Sequence, residues 1–592
     1  MLDFLGMYRQ ARTAHARQLT EGTFVSLGTS AMGGRDVCAQ GALMALAAGH
    51  IANRRALLRT LELTEPLPDA ALVLNAYRRW GADYPRRIEG AAVTAVIDRI
   101  EDRLILTRDR MGAVPVYYAW RGRSAAFSGR PELLLRAGVA GRVVDREGIL
   151  ELFQVAGVSS PMRTPFRDIR RLEPGCVLVA DARGTRIKRY ASLEPEEGGL
   201  CAARAALLSA IPEAGEEVPV LWHSGGAGSL LLERLAREKY MRPPETLHLR
   251  GEGMVHTPAE DGSAEEIAQT EAGRAELEAE CVGILGFPDA DPNNAALLQL
   301  AGHSARLSPR ALLATGAGAL FPTEERAFEP ENGLFPWQGE VCHLRFLKPA
   351  LRARLNPERY LRDRLHEALD RLPHSPEGDA DFAAFGLRAA YLLPALASKT
   401  TALLAARGVR AEMPFVNEAV AARLWGAGEA RAHFLAGKAP VLHHGNASRA
   451  LREEIVRLLA DPAQPVRALI DDTAVRENAY GANPDAGELS FLLRVNEWMV
   501  QTEAEAEVER AEERRLCGTG EVRERNQKKA AVISCEMAAG LVTGFLTRRP
   551  ACGLRRGHGW AAGSFLCRWS RRGCRPSDLP RRSARRLRCS CM

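Results

Sequence analysis

The sequence predicts an α/β protein in two parts: a strand-rich sheet layer with helices packed against it, then a parallel sheet followed by a helical lobe. Three observations predict it. Short β-like runs crowd residues 1–195, namely TFVSLG, AAVTAVID, RLILTRD, VPVYYAW and CVLVA. Between residues 218 and 239 a brief apolar run, Val218 to Trp222, passes through a glycine-rich turn into a helix. Beyond it, Ala-, Leu- and Arg-rich helical stretches dominate to about residue 510, with fewer strand signals in VPVLW, ETLHL and ALLAT. Closely spaced strands with turns between them make sheet layers, and a strand entering a helix through glycine makes a parallel α/β unit.

Taken in order, the first part spans 1–195 and ends in the acidic, Gly- and Pro-containing stretch ASLEPEEGGL, which reads as a linker. The second part spans 200–512 and closes on TEAEAEVERAEERRL, read as a helix. A chain of 592 residues suits two or three domains. No uninterrupted apolar run looks long enough to cross a bilayer, and MLDFLGMYRQ lacks a secretory pattern, so a cytoplasmic location without a membrane partner is expected.

The net charge of +7 hides an asymmetry. From Leu516 onward 17 Lys and Arg face 4 Asp and Glu, a surplus of 13, which leaves the first 515 residues at −6. Seven of the 12 cysteines also lie there, at 517, 535, 552, 567, 574, 589 and 591. Residues 516–592 have little hydrophobic periodicity, no paired CxxC and no Cys/His ligand set. They read as a disordered extension, or as an out-of-frame translation of GC-rich DNA, in preference to a nucleic-acid or metal-binding appendage. No nucleic-acid partner is expected.

The turn after Val218–Trp222 carries the site. Ser224, Gly225 and Gly226 can bring bare backbone N–H groups to an anion, and Ser229 opens a helix whose Leu230, Leu231, Leu232 and Leu235 can face a core. His443 and His444 point differently on one element and read as loop or surface.

Several segments, in order, resemble the glutamine-dependent asparagine synthetase family and its amide-forming relatives, the β-lactam synthetases and lasso-peptide macrocyclases. In the first part they are AGHIANRRALLRTL (48–61), LNAYRRWGADYPRRIEGAAVTAVID (74–98), RLILTRDRMGAVPVYYA (103–119) and RRLEPGCVLVA (170–180). In the second they are WHSGGAGSLL (222–231), LLATGAGALF (312–321) and KTTALLAARGVRAEMPFVNEAV (399–420). The resemblance implies an amidotransferase-like αββα sandwich, then an adenine-nucleotide α-hydrolase-like parallel sheet with a helical lobe. It implies ATP-dependent adenylation of a small-molecule or peptide carboxylate, followed by attack of ammonia or an amine.

The departures fall on the chemistry. The family's nucleophilic cysteine after the initiator is here Leu2, and its Asn-Gly is Ala48-Gly49, so glutamine hydrolysis is not expected. The Asp of the family's SGG-x-Asp-Ser loop is Gly228, and Gly316-Ala317-Gly318-Ala319 runs into Leu320-Phe321 where an Asp–Glu pair belongs. ATP and Mg²⁺ are the implied cofactors, but both carboxylates for Mg²⁺ are missing. Glu324 with Glu325, or Asp289 with Asp291, are the substitutes to weigh, and Gly228→Asp is expected to strengthen metal-dependent nucleotide binding. Ser224, Gly225, Gly226 and Ser229 are the nucleotide-binding candidates. Lys399 is the catalytic candidate, against a plain surface lysine; Lys438 is a weaker one of that kind. Arg410-Ala411-Glu412 reverses the family's Glu-x-Arg and can keep an ion pair, and Asn417 replaces an Asp. Arg108-Asp109-Arg110 reads as a buried or interface ion-pair cluster, and Tyr117 and Tyr118 as sheet or core. The alternative reading is a catalytically inactive descendant serving as a binding or scaffold protein.

Overall fold

The computed structural model describes residues 3–507, apart from 10–16, 65–66, 123, 154–159, 214–217, 252–264, 290, 292, 323–326, 339–342, 374–378, 436–446 and 482–483. Leu2, Glu324, Glu325, Lys438, His443, His444 and the basic segment 516–592 lie outside the described residues.

Within the first 190 residues the strands are β1 (Leu5–Tyr8), β2 (Thr23–Leu27), β3 (Ser30–Gly34), β4 (Val37–Gln40), β5 (Leu43–Gly49) and β6 (Ala92–Asp98). Next come β7 (Arg103–Thr107), β8 (Tyr117–Arg121), β9 (Ser124–Ser128), β10 (Val143–Val144), β11 (Arg170–Arg171), β12 (Cys176–Asp181) and β13 (Gly184–Arg189). Twelve of them make two six-stranded sheets, ordered β11-β8-β9-β1-β3-β2 and β13-β12-β7-β6-β5-β4. Neighbours run antiparallel throughout.

The alternation of side chains along each strand explains why the sheets stack. Met44 and Leu46 of β5, Val93, Ala95 and Ile97 of β6, and Leu104 and Leu106 of β7 meet Phe4, Tyr8, Met32 and Phe127 of the facing sheet. The intervening residues, Ala45, Ala47, Val96 and Ile105, turn outward onto Leu72, Val73, Ala76 and Tyr77 of helix Asp69–Trp80. On the opposite outer face Leu5, Met7, Tyr117 and Ala126 pack with helices Pro131–Arg136 and Arg146–Leu152, and with helices from the end of the chain. The layers are therefore helix, sheet, sheet, helix. Strands covered on both faces read as near-continuous apolar runs, and β6, buried at all seven positions, shows it.

The second part carries β14 (Val220–Trp222), β15 (Thr246–Gly251), β16 (Glu265–Gln269), β17 (Arg310–Leu312) and β18 (Arg410–Glu412), all parallel, in the order β16-β15-β14-β17-β18. Leu221 and Leu312 face helices Gly199–Ala210, Ala227–Lys239 and Glu418–Gly426. Val220, Trp222, Ala311 and Leu313 face Leu300 and Ala301 of helix Asn294–Leu307 on the other side.

The helical run Ala380–Ala406 is long and apolar enough to cross a bilayer by length and composition, although Asp381, Arg388 and Lys399 interrupt it. Its Phe385, Ala389, Leu393 and Ala397 lie in the core around Phe415 and Trp425. A correction concerns the closing helix. Helix Ala486–Thr502 stops at Glu503, which takes φ +50°, and Glu505–Ala506 forms β19 beside β10. Residues 508–516 of that expected run lie outside the described ones.

Residues 1–515 form one compact unit. Its two parts are joined by Met111 and Ala113, which enter the core under helix Glu418–Gly426. In the Arg108-Asp109-Arg110 turn, Arg110 is the interface ion pair, Nη1 lying 3.2 Å from Glu418. Arg108 and Asp109 are buried but bonded to backbone: Arg108 donates to the carbonyls of Gly112, Val114 and Leu172, and Asp109 accepts from the amides of Ala113 and Val114. The stretch 191–198 is no loose linker either. The Glu196 amide donates to the Ala422 carbonyl at 2.9 Å, and the Glu196 carbonyl sits where a side chain on Gly426 would begin.

Candidate functional site

The chain leaves β14 toward β15 on one side of the sheet and reaches β17 on the other, so the carboxyl end of β14 is the switch point of the strand order. Crevices for ligands open at such points because the two outgoing connections diverge. The bend His223–Gly226 lies there, and a cavity of about 1170 Å³ is lined by His223, Ser224, Gly226, Ala227, Gly228 and Ser229. Thr315, Gly316, Ala317, Asp291, Asn293, Arg388 and Lys399 also line it.

The bend is held by its own bonds. Gly225 takes φ +74° and its amide lies 3.3 Å from His223 Nδ1. The Ser224 amide donates to Ser229 Oγ at 3.3 Å, and the Ser229 hydroxyl donates to the Gly226 carbonyl at 2.9 Å. This corrects the expectation of bare amides at Ser224 and Gly225, because a side chain meets each of them. The Ser229 hydroxyl is likewise directed inward. The first turn of helix Ala227–Lys239 also lines the cavity, and it has no side-chain cap and no acidic residue. Its first N–H groups lack partners within the helix and carry the positive end of the helix dipole.

Gly228 stands where the resembling family has an Asp. A Cβ there would lie 2.5 Å from the Cβ of Ala317 and 3.4 Å from that of Ala314. The two glycine-containing turns thus touch at this point, and the space for a carboxylate is filled by the second turn. A side chain at Gly228 therefore requires the two turns to move apart, which is the condition on which a gain in metal-dependent binding by Gly228→Asp would depend.

Lys399 is not a surface lysine. It projects from helix Leu393–Ala406, 11% exposed, with Nζ 2.5 Å from Asp291 Oδ2 and 3.2 Å from Asp289 Oδ2. Burial alone would lower its pKa, but the two carboxylates outweigh it and hold the ammonium well above the ordinary lysine range. Burial pushes Asp291 up, yet the Lys399 charge and the Asn293 donors overcome it and hold the carboxyl below its usual value. Asp291 Oδ1 accepts from the Asn293 amide at 2.9 Å and from Asn293 Nδ2 at 2.8 Å, while Asp289 Oδ1 accepts from the Asp291 amide at 2.8 Å. All four carboxylate oxygens therefore have donors. Among the described residues no group of three or more His, Cys, Asp or Glu side chains is placed to hold a metal ion. The implied Mg²⁺ does not fit this donor set.

A second cavity, about 450 Å³, shares Asp291, Asn293, Leu396 and Lys399 with the first and reaches Tyr117, Arg163, Arg171 and Phe287. Of the ion-paired triad Lys399, Asp289 and Asp291, Lys399 and Asp291 line both cavities and Asp289 lines the second. Glu412 accepts from Arg410 Nε at 2.7 Å and from Arg310 Nε at 3.1 Å, so the reversed Arg/Glu order does keep an ion pair, across β17 and β18. Asn417 caps helix Glu418–Gly426 through the amides of Ala419 and Val420. Tyr117 and Tyr118 are buried in the sheet. Ala48 pairs with Val93 in β5 and its side chain offers no donor.

Sequence reasoning missed Arg388, 8% exposed on the cavity wall. It opens a π-helical turn, Arg388–Leu392, that ends two residues before Pro394. That proline, which cannot continue an i→i−4 ladder, was the available signal.

Residues 37–191 match the glutamine amidotransferase domain family, which gives the class of the strand-rich part. Asparagine synthetase (glutamine-hydrolysing) 3 of Bacillus subtilis is 29% identical over 133 residues, 22% of this chain and 22% of that protein. A Methanocaldococcus jannaschii protein provisionally named asparagine synthetase (glutamine-hydrolysing) 2 is 24% identical over 145 residues, 24% of this chain and 28% of its own length. The chain thus matches about a quarter, or less, of the length of these curated relatives. Among solved structures, a Bacillus subtilis glutamine phosphoribosylpyrophosphate amidotransferase is similar at 11% identity and a TM-score of 0.23, over 42% of this chain and 69% of that one.

Proposed function

We propose that the protein is an asparagine synthetase-like, ATP-dependent ligase that forms amide bonds. A substrate carboxylate oxygen would attack the α-phosphorus of ATP, giving an acyl-adenylate and pyrophosphate. Ammonia or an amine would then attack the acyl carbon and expel AMP. The observation that carries this reading is the bend at 223–226 at the switch point of a parallel sheet, opening on a cavity large enough for a nucleotide and a second substrate. The first turn of helix Ala227–Lys239 would meet the phosphates. The similarity to asparagine synthetases supports the reaction class.

Asp289 and Asp291, the carboxylates weighed for Mg²⁺, are engaged by Lys399 and by amides. Lys399 would act as a positioning group, holding the loop of Asp289 and Asp291 against the cavity. The same engaged carboxylates favour a second reading, an inactive family member that serves as a binding or scaffold protein in the cytoplasm.

Exchange of labelled pyrophosphate into ATP separates the two. With a carboxylic acid substrate the full chain is expected to exchange label, and ATP is expected to raise its melting temperature. No exchange together with no thermal shift would leave the scaffold. Glutamine is expected to release no ammonia above background in the same preparation, because Ala48 offers the oxyanion no side-chain donor. Ammonia release stoichiometric with product would overturn that expectation.

A further inference from the structure

We propose that the acid taken by this protein is a monocarboxylate with a large apolar body, selected over dicarboxylic amino acids by Phe321 and Arg388 on the lobe wall of the cavity. The inference rests on the ligase reading for its chemistry. Its geometry comes from a part of the cavity that reading does not use. Apart from the bend and the turn at 313–319, the lining of this part comes from residues 320–322, Ala327 and Phe328, the helical run from Ala380 to Leu396, and the turn 429–435. Phe321, Phe328, Ala380, Ala384, Leu396 and Leu435 line it, an apolar set. Phe321 is held in place by offset stacking on Phe434, with ring centroids 5.9 Å apart and planes within 11°. The cavity, about 1170 Å³, exceeds the roughly 300–1,000 Å³ of a pocket for one drug-sized ligand. A nucleotide therefore leaves room for a second sizeable body.

Charge points the same way. A dicarboxylic amino acid brings two carboxylates and an ammonium group, and each needs a partner when it leaves water. Of the wall's acidic and basic side chains, Asp381 and Arg431 are engaged with one another, and Glu429 is exposed to water. Arg431 is ion-paired with Asp381, donates to the Gly428 carbonyl at 2.9 Å, and lies 4.7 Å from the ring centre of Phe385. Lys399 is held by Asp289 and Asp291. Arg388 belongs to neither pair; it is buried on the cavity wall and has a protein partner of its own. A guanidinium has five donors in a fork, so it can keep that partner and still take one carboxylate. The π turn Arg388–Leu392 sets its position. Beside the apolar set, the one guanidinium outside the Arg431–Asp381 pair matches one carboxylate on an apolar body.

Calorimetric titration of the full chain with hexanoate, octanoate, octanamide and L-aspartate, with and without ATP, tests this. Octanoate is expected to bind at least tenfold tighter than aspartate, and each methylene from hexanoate to octanoate to add about fourfold. Phe321→Ala should weaken octanoate at least fivefold. Arg388→Met should abolish the preference for octanoate over octanamide, with Arg388→Lys restoring part of it. If either variant fails to fold, Leu435→Trp, which narrows the same wall from a half-buried position, should exclude octanoate while hexanoate still binds. Aspartate binding as tightly as octanoate, or octanamide equal to octanoate in the unaltered chain, overturns the inference. ATP binding without octanoate binding overturns it and leaves the ligase reading standing. Octanoate binding without ATP binding does the reverse.

Discussion

Replacing Lys399 with methionine is expected to destabilise residues 1–515 by about 3–5 kcal/mol, because it leaves two carboxylates near the cavity without their shared cation. The side chains of Lys399 and Asp291 are 11% and 12% exposed, so water cannot replace the lost partner cheaply. Urea denaturation followed by tryptophan fluorescence measures the loss. Adding Asp289→Asn and Asp291→Asn to Lys399→Met should recover a large part of it, since no unpaired charge then remains. A Lys399→Met protein within about 1 kcal/mol of the parent would show that the triad is hydrated.

The pH dependence of this triad has a definite sign. Asp291 titrates lower in the fold than in the unfolded chain, so its contribution is present above about pH 3.9 and is lost as pH falls through the folded value. Lys399 titrates higher in the fold, so its contribution is full below about pH 10.4 and is lost only as pH rises through the still higher folded value. Between those limits the parent's own contribution is constant, whereas in Lys399→Met burial raises the Asp291 carboxyl once its cation is gone, so the stability difference should narrow as pH falls toward the acid limit.

Gly228→Asp is the second large effect. The new Cβ would meet the Cβ of Ala317 at 2.5 Å, and neither atom is the end of a flexible side chain. Overpacking of this kind costs about 1–3 kcal/mol. The variant is expected to melt earlier and to gain no Mg²⁺-dependent affinity for ATP, measured by titration with and without EDTA. Gly228→Asp combined with Ala317→Gly removes the obstructing methyl and should regain stability. Parental stability together with tighter Mg²⁺-dependent ATP binding in the single variant would show that the two turns are free to part.

Much of the strand layout was legible because burial on both faces writes itself as apolar runs. TFVSLG, AAVTAVID, RLILTRD, VPVYYAW and CVLVA all contain strands. β1, β3 and β9 were not read, since LGMY, SAMGG and SAAFS carry glycine, serine and alanine in place of large apolar residues. Gly6 is small for a reason visible only in three dimensions: the Phe127 ring occupies the place of its side chain, 2.0 Å from where a Cβ would stand. β16 and β18, EEIAQ and RAE, are charged and pair at or near the edge of their sheet, so local composition gave no strand signal.

The sequence alone determined the class of the strand-rich part, the strand-turn-helix at 218–239 and the uncharged residues at Gly228 and at Ala319 to Phe321. Those are properties of residue identity and spacing, which pattern reads directly. Only the tertiary structure decided that Lys399 is buried with Asp289 and Asp291, 108 or more residues away along the chain. It also decided that Gly228 abuts Ala317, and that Arg388 reaches the same cavity as the bend. Such pairings arise when a parallel sheet gathers distant connections at one end, and the burial that sets the charge of each group exists only after that gathering.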